Sequence, residues 1–325
     1  MKAIRFHSHG GPEVLKLEDA PLPELKPGEA LVRVHAAGVN FLDVYQRTGL
    51  YKISLPFTPG MEGAGTIERV SADSELKPGT AVAWTNQPGA YAEFAAVPAW
   101  KLVHLPKAVD FQTAAAAMLQ GMTAEYLCDT TYPVKAGDKV LVHAGAGGVG
   151  LLLIQLLKQK GAQVFTTVST EAKAALAKEA GADEVILYTK EDFVKAVKAF
   201  TKDRGVDVVY DSVGASTYEG SLNVLRPLAM LALFGQSSGR VPPIDPMTLT
   251  EKGSLFLSRP SLVHYIADRK SLLERASKVL DWVATGALKV RIGGVYRLAR
   301  VPDAYRDLEA RKTTGKLVVD VAGSA

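Results

Sequence analysis

The sequence predicts an α/β protein in which a doubly wound parallel-sheet domain is inserted between two parts of a partly open β-barrel domain. Three observations carry that expectation. A glycine-rich loop lies between an apolar strand and a helix-like run, in KVLVHAGAGGVG (139–150) followed by LLLIQLLKQK. Strand and helix patterns then alternate to about residue 235, as right-handed crossovers onto a parallel sheet require. Before about residue 120, by contrast, short strand patterns are separated by Pro and Gly turns, which is the grain of an antiparallel barrel.

The N-terminal strands are expected in ALVRVHAAGV, GAGTIERV, TAVAWT and YAEFAAVP, with KPGE and KPGT as turns. Val140, Leu141 and Val142 then form a buried strand, and 151–160 a helix whose terminal Lys158 and Lys160 suit its dipole. QVFTTVS (163–169) is a strand, TEAKAALAKEAG a helix stopped by Gly181, and EVILY (184–188) a strand. Thr189 is placed to cap a helix reaching Lys202. VDVVYDSVG is strand then turn, 216–225 a helix, and LAMLALFG (228–235) an all-apolar strand. After Pro260 come a helix, GALKVRIGGVYRLARV, a helix through Arg311 and the strand KLVVDV. The expected domains are 1–122 with 261–325, and 123–260 between them. A site is expected in the cleft where they meet.

Gly145, Gly147 and Gly150 have the G-x-G-x-x-G spacing in its required context of strand before and helix after. There the first glycine permits the turn, the second lets a pyrophosphate approach the backbone, and the third lets helix pack on strand. A glycine turn without ligand is the plainer alternative. An acidic residue about 20 positions on would select a ribose 2′-hydroxyl. This chain instead has Ser169, Thr170 and Lys173, a hydroxyl and a cation suited to a 2′-phosphate, so NADPH is expected over NADH. Glu171 stands one or two residues beyond the usual acidic place, and Lys173 could be an ordinary solvated lysine.

With 325 residues, 47% of them apolar and 22% charged, the chain reads as an ordinary soluble protein. A net charge of +4 without a compact basic run gives no nucleic-acid footprint. No segment has the length of a membrane span or the pattern of a signal peptide. One cysteine, Cys128, excludes an intramolecular disulfide framework and fits a reducing cytoplasm. GQSSG (235–239) matches G-x-S-x-G, but Pro242, Pro243 and Pro246 forbid the helix that a hydrolase nucleophile needs behind Ser237.

GPEVLKLED, KPGEALVRVHAAGVNFLDVYQRTGLY, LQGMTAEYL, AGAGGVG, VVYDSVG and FGQSSG together resemble the quinone oxidoreductases, the zeta-crystallin-like branch of the medium-chain dehydrogenase/reductase superfamily. The resemblance runs over essentially the whole chain. It implies a GroES-like barrel domain beside a Rossmann domain, commonly a homodimer, with NADPH as cofactor and a quinone as acceptor. Reduction of α,β-unsaturated carbonyls is the alternative activity, and a non-catalytic role, as in the lens protein of this branch, a remote one.

Zinc relatives of that superfamily carry G-H-E where this chain has Gly60, Met61 and Glu62, and a cysteine near Val39 and Asn40. Thioether and amide are poor replacements for imidazole and thiolate, so no metal is expected. Without a Lewis acid, hydride transfer needs an acceptor that is already electrophilic, and hydrogen-bond donors aimed at its oxygen. The resemblance brings Asn40, Asp43, Tyr45 and Tyr51 to that task, with Tyr45 as principal donor. Asn40 and Asp43 could instead cap the following helix, and Tyr51 could be a packing aromatic. The same resemblance implies Phe41, Thr123 and Tyr126 near the nicotinamide, and Gly147, Gly148 and Val149 at the pyrophosphate. Ser169, Lys173, Tyr188 and Arg311 are implied at the 2′-phosphate, and Phe234, Gly235, Ser237, Leu257 and Arg259 along the rest of the cofactor. Arg311 and Lys316 are the assignments most exposed to alignment shifts near the chain end.

Overall fold

The structure, a computed structural model, describes residues 1–71 and 76–324. It divides into two compact units, Met1–Met122 with Ile266–Ala325, and Thr123–Tyr265.

The first unit carries a hairpin of β1 (Lys2–Arg5) and β2 (Lys16–Asp19) and a seven-stranded sheet. That sheet contains β3 (Glu29–Val39), β4 (Glu62–Val70), β5 (Ala81–Thr85), β6 (Phe94–Pro98) and β7 (Val103–His104). The four strand patterns read in the N-terminal part correspond to β3 to β6. β3 is the longest, and it pairs antiparallel with both β4 and β6. Its inward residues, with Ile4, Phe6, Ile67, Trp84 and Tyr305, form one apolar core.

The second unit adds six parallel strands: β8 (Lys139–Val142), β9 (Gln163–Val168), β10 (Glu184–Leu187), β11 (Val206–Asp211), β12 (Leu225–Leu233) and β13 (Phe256–Ser258). Their order, β10-β9-β8-β11-β12-β13, reverses direction at β8, and in such sheets ligands bind beyond the carboxyl ends at the reversal. Near-continuous burial of β8, β9 and β11 is what a sheet covered on both faces demands. Back in the first unit, β14 (Ile292–Arg297) and β15 (Lys316–Asp320) complete the larger sheet.

Ten α-helices are described among these residues. They are α1 (Phe41–Arg47), α2 (Phe111–Tyr126), α3 (Gly148–Gln159), α4 (Glu171–Glu179), α5 (Phe193–Thr201), α6 (Tyr218–Asn223), α7 (Pro246–Glu251), α8 (Leu262–Tyr265), α9 (Arg269–Ala284) and α10 (Val301–Glu309). None of them is long and apolar enough to cross a membrane.

Several local expectations need correction. Asp192, not Thr189, caps α5: its carboxylate accepts from Val194 N at 2.7 Å and Lys195 N at 3.3 Å, since the backbone places Asp192 directly before Phe193 while the Thr189 hydroxyl is spent on the Ser169 carbonyl. β12 begins at Leu225 rather than 228, because Leu225 already pairs with Val206; a register shift follows before Met230 pairs with Val208, and Leu228, in between, is exposed at φ +60°. The second boundary between units falls after Tyr265 rather than Pro260. Tyr265 is held within its unit by a ring stack on Tyr126 at 4.0 Å and a hydroxyl contact with Thr131 at 2.8 Å.

Candidate functional site

The glycine loop occupies the carboxyl end of β8. Ala144 takes φ +56°, and its carbonyl accepts from Gly147 N at 2.9 Å to close the turn. A Cβ on Gly145 would stand 2.0 Å from Thr166 Oγ1, and one on Gly150 2.4 Å from the Ala144 carbonyl oxygen. Both glycines are therefore required by close packing. Gly147 would meet only the Ala144 oxygen, at 3.1 Å, and it caps α3 with no side-chain hydrogen bond. The first-turn amides of α3, at Gly148 and Val149, thus open a helix bare of side-chain caps, the arrangement that receives a phosphate group.

Behind the loop lies a relay that sequence reading passed over. His143 is 2% exposed and joins Thr167 Oγ1 at 2.9 Å to Ser221 Oγ at 3.0 Å. Ser221 donates to Asp211 Oδ2 at 2.8 Å, so its oxygen must accept from His143 Nε2–H, and Nδ1 must accept from Thr167. Burial lowers the His143 pKa, against the pull of Asp211, and keeps this neutral tautomer. The other oxygen of Asp211 accepts from Val213 N, Gly214 N and Thr217 Oγ1 at 2.8 to 3.0 Å. Three strand ends are thereby locked together. Phe234 N and Gly235 N bond the Asp211 carbonyl, and Ser237 N that of Ser212, so the cofactor candidates after β12 gather beside the end of β11. Behind Ser237 the chain remains non-helical until Pro246, which removes the hydrolase geometry. Leu257 lies within β13 and Arg259 is exposed just after it.

At the end of β9, Ser169 is half-buried, and its carbonyl accepts from Thr189 Oγ1 at 3.0 Å. Tyr188 N bonds the Val168 carbonyl at 3.2 Å, which brings Tyr188 to the same edge. Thr170 caps α4 by accepting from Lys173 N. Glu171 is exposed and ion-paired with Lys190 at 2.7 Å.

Other candidates sit elsewhere. Thr123 and Tyr126 are 6% and 2% exposed in the last turn of α2, the Tyr126 ring lying under Tyr265. Arg311, exposed with φ +57° after α10, belongs to the first unit. Lys316 is buried in β15.

In the first unit α1 presents Phe41 and Tyr45, with Tyr51 in the following turn. The Tyr45 ring centroid is 6.2 Å from Phe41 and 5.4 Å from Tyr51, and Tyr51 N bonds the Tyr45 carbonyl at 3.0 Å. Tyr45 is half-buried and Tyr51 is 38% exposed. Asn40 and Asp43 form the capping box of this helix. Asp43 Oδ2 accepts from Asn40 N at 2.9 Å and from Tyr91 OH at 3.1 Å, and Oδ1 is buried without a hydrogen bond. Both residues therefore support the helix from behind.

That cap rests on a buried charge pair. Glu62, wholly buried, accepts from Asn40 Nδ2 at 2.8 Å, from Leu119 N at 2.7 Å and from the Lys316 ammonium. Lys316 Nζ also donates to Asn40 Oδ1 at 2.7 Å. Beside them Gln46 Nε2 donates to Met61 Sδ at 3.4 Å. At its other end α1 is tied through Arg47, 1% exposed, to both Glu309 oxygens at 2.7 and 3.0 Å. Neither Lys316 nor Arg47 was singled out for this role by sequence. The available signal was a lysine opening the otherwise apolar LVV run.

Comparison with known proteins places this geometry. The family model for the alcohol dehydrogenase GroES-like domain matches residues 26–107, and that for zinc-binding dehydrogenase matches 148–281. A quinone oxidoreductase of Pseudomonas aeruginosa is 41% identical over 98% of this chain and 99% of its own. A 2-haloacrylate reductase of a Burkholderia species is 38% identical over 98% of each chain. The crystal structure of Escherichia coli quinone oxidoreductase complexed with NADPH aligns with TM-score 0.96 at 40% identity, covering 99% of this chain and 100% of that one.

Proposed function

The chain belongs to the quinone oxidoreductases of the medium-chain dehydrogenase/reductase superfamily, and on that footing we propose that it reduces quinones with NADPH, without a metal. The observation that carries the reading is the donor set under α1. Where zinc relatives hold imidazole and thiolate, this chain has a thioether engaged by Gln46 and an amide engaged by Glu62 and Lys316. Those are weak ligands for zinc.

The bare turn at Gly147 and the uncapped start of α3 suit a dinucleotide pyrophosphate. When bound, NADPH would supply hydride from its nicotinamide C4. Gly147, Gly148 and Val149 hold the phosphates, and Ser169, Lys173 and Tyr188 the adenosine end. Tyr45 donates to the acceptor oxygen on which negative charge develops, flanked by the Phe41 and Tyr51 rings. The rigid cap of Asn40 and Asp43 keeps the hydroxyl in place, and such preorganisation is what makes a donor effective.

Likeness to the 2-haloacrylate reductase supports a second acceptor class, activated alkenes conjugated to a carbonyl group, which the same donor would serve. The test is loss of reduced cofactor across a panel of quinones and enones, with wild type and Tyr45→Phe. Removal of the hydroxyl is expected to lower turnover by about tenfold or more, with NADPH affinity nearly unchanged. The loss should be larger for enones, since quinones are stronger hydride acceptors. Unchanged turnover on both classes would assign the donor elsewhere, and lost NADPH binding would make Tyr45 a cofactor contact.

A further inference from the structure

Glu171 is the first residue of α4, next to the Ser169 and Thr170 edge. A carboxylate there opposes a 2′-phosphate, which carries close to two negative charges. The turn after β10 answers it. Thr189 Oγ1 bonds the Ser169 carbonyl and Tyr188 N the Val168 carbonyl, so this turn is fastened to the end of β9, with Lys190 beside Glu171. The Lys190 ammonium lies 2.7 Å from Glu171 Oε1. The next two acids are spent on backbone: Glu191 Oε1 accepts from Leu187 N, and Asp192 caps α5.

We propose that Lys190 is a specificity-determining residue for the cofactor, neutralising Glu171 so that the end of β9 accepts a 2′-phosphate. The inference rests on the NADPH reading above. An exposed ion pair of this kind adds little to folding stability; its effect is on the local field that a phosphate meets. Lys173, two residues along α4, and Lys190 both add positive field where the phosphate would sit, and Lys190 is held there by its pair with Glu171. Without Glu171 the exposed Lys190 side chain loses the pair that holds it and its ammonium is screened by water, so the dependence on Glu171 separates the two lysines.

The experiment is direct calorimetric binding of NADP⁺ and NAD⁺ to the purified full chain at low ionic strength. Wild type, Lys190→Ala, Glu171→Gln and the double variant are compared, with Lys173→Ala as reference. Lys190→Ala is expected to weaken NADP⁺ by about fivefold and NAD⁺ by less than about twofold, a difference that shrinks with salt. In the Glu171→Gln background the same substitution should cost NADP⁺ less than about twofold, whereas Lys173→Ala should weaken NADP⁺ whichever residue stands at 171. A loss from Lys190→Ala that persists at full size in the Glu171→Gln background would overturn the proposal, because Lys190 would then act independently of its pair with Glu171. So would no loss, or equal loss for both nucleotides. Wild-type binding of NADP⁺ no tighter than NAD⁺ would instead overturn the NADPH reading. A clear wild-type preference with Lys190→Ala silent overturns the proposal alone.

Discussion

Lys316→Met is expected to lower the stability of the first unit by about 3–5 kcal/mol, the usual cost of leaving one partner of a buried charge pair uncompensated. Glu62 has no exposed surface and Lys316 is 1% exposed, so water cannot replace the lost ammonium. The remaining partners of Glu62, Asn40 Nδ2 and Leu119 N, are hydrogen-bond donors without full charge. Urea unfolding read by tryptophan fluorescence checks this, because Trp84, Trp100 and Trp282 all lie in the first unit. The double variant Glu62→Gln with Lys316→Met should recover much of the loss, since the uncharged amide oxygen still accepts from Leu119 N and its NH2 can donate to Asn40 Oδ1, freed by loss of Lys316, once the Asn40 amide flips. A double variant as unstable as the single one would show that charge compensation is not what the pair provides.

Asp43→Asn should change how stability depends on pH. Burial pushes the Asp43 carboxyl up to about 7 from 3.8, against the opposing pull of the Asn40 amide, the Lys316 charge and the Tyr91 hydroxyl; the nearby Glu62 charge adds to the rise. An acid with a raised folded-state pKa binds its proton more tightly in the native protein. Its contribution to stability is therefore present below about pH 4 and is lost as pH rises through about 7. Between about pH 5 and about pH 8 the variant should gain on wild type by about 3 kcal/mol. The amide keeps an acceptor for Asn40 N and Tyr91 OH, so the helix cap survives. Parallel stability profiles for the two proteins over that range would place the ionisation of Asp43 outside it.

The parallel-sheet unit was legible in the sequence because its information is local. Apolar runs of strand length, helical periodicity and the spacing of Gly145, Gly147 and Gly150 all fall within short windows, and the parallel order β10-β9-β8-β11-β12-β13 follows from their alternation. The α1 capping box was also readable as an alternative, since Asn40 and Asp43 are three residues apart. The supports of α1 were not. Lys316 meets Glu62 across 254 positions, and Arg47 meets Glu309 across 262. In a sequence, a charged residue without its distant partner reads as surface. His143 was hidden likewise: its partners Thr167 and Ser221 belong to other strand and helix units, and nothing in HAGAGGVG indicates that the ring points into the protein. Asp192 displaced Thr189 as the α5 cap because two adequate capping residues lay close together and only the backbone path chooses between them.

In the proposed reaction hydride passes from the nicotinamide of NADPH to an already electrophilic acceptor. It is tested most directly with NADPH deuterated at C4 on the transferred face, an enone acceptor and the purified wild-type protein. Deuterium is expected in the product at the carbon β to the carbonyl, one atom per cofactor oxidised, with turnover unaffected by prolonged chelation. Cofactor consumption without deuterium in the product, or no consumption with any enone or quinone, would contradict it.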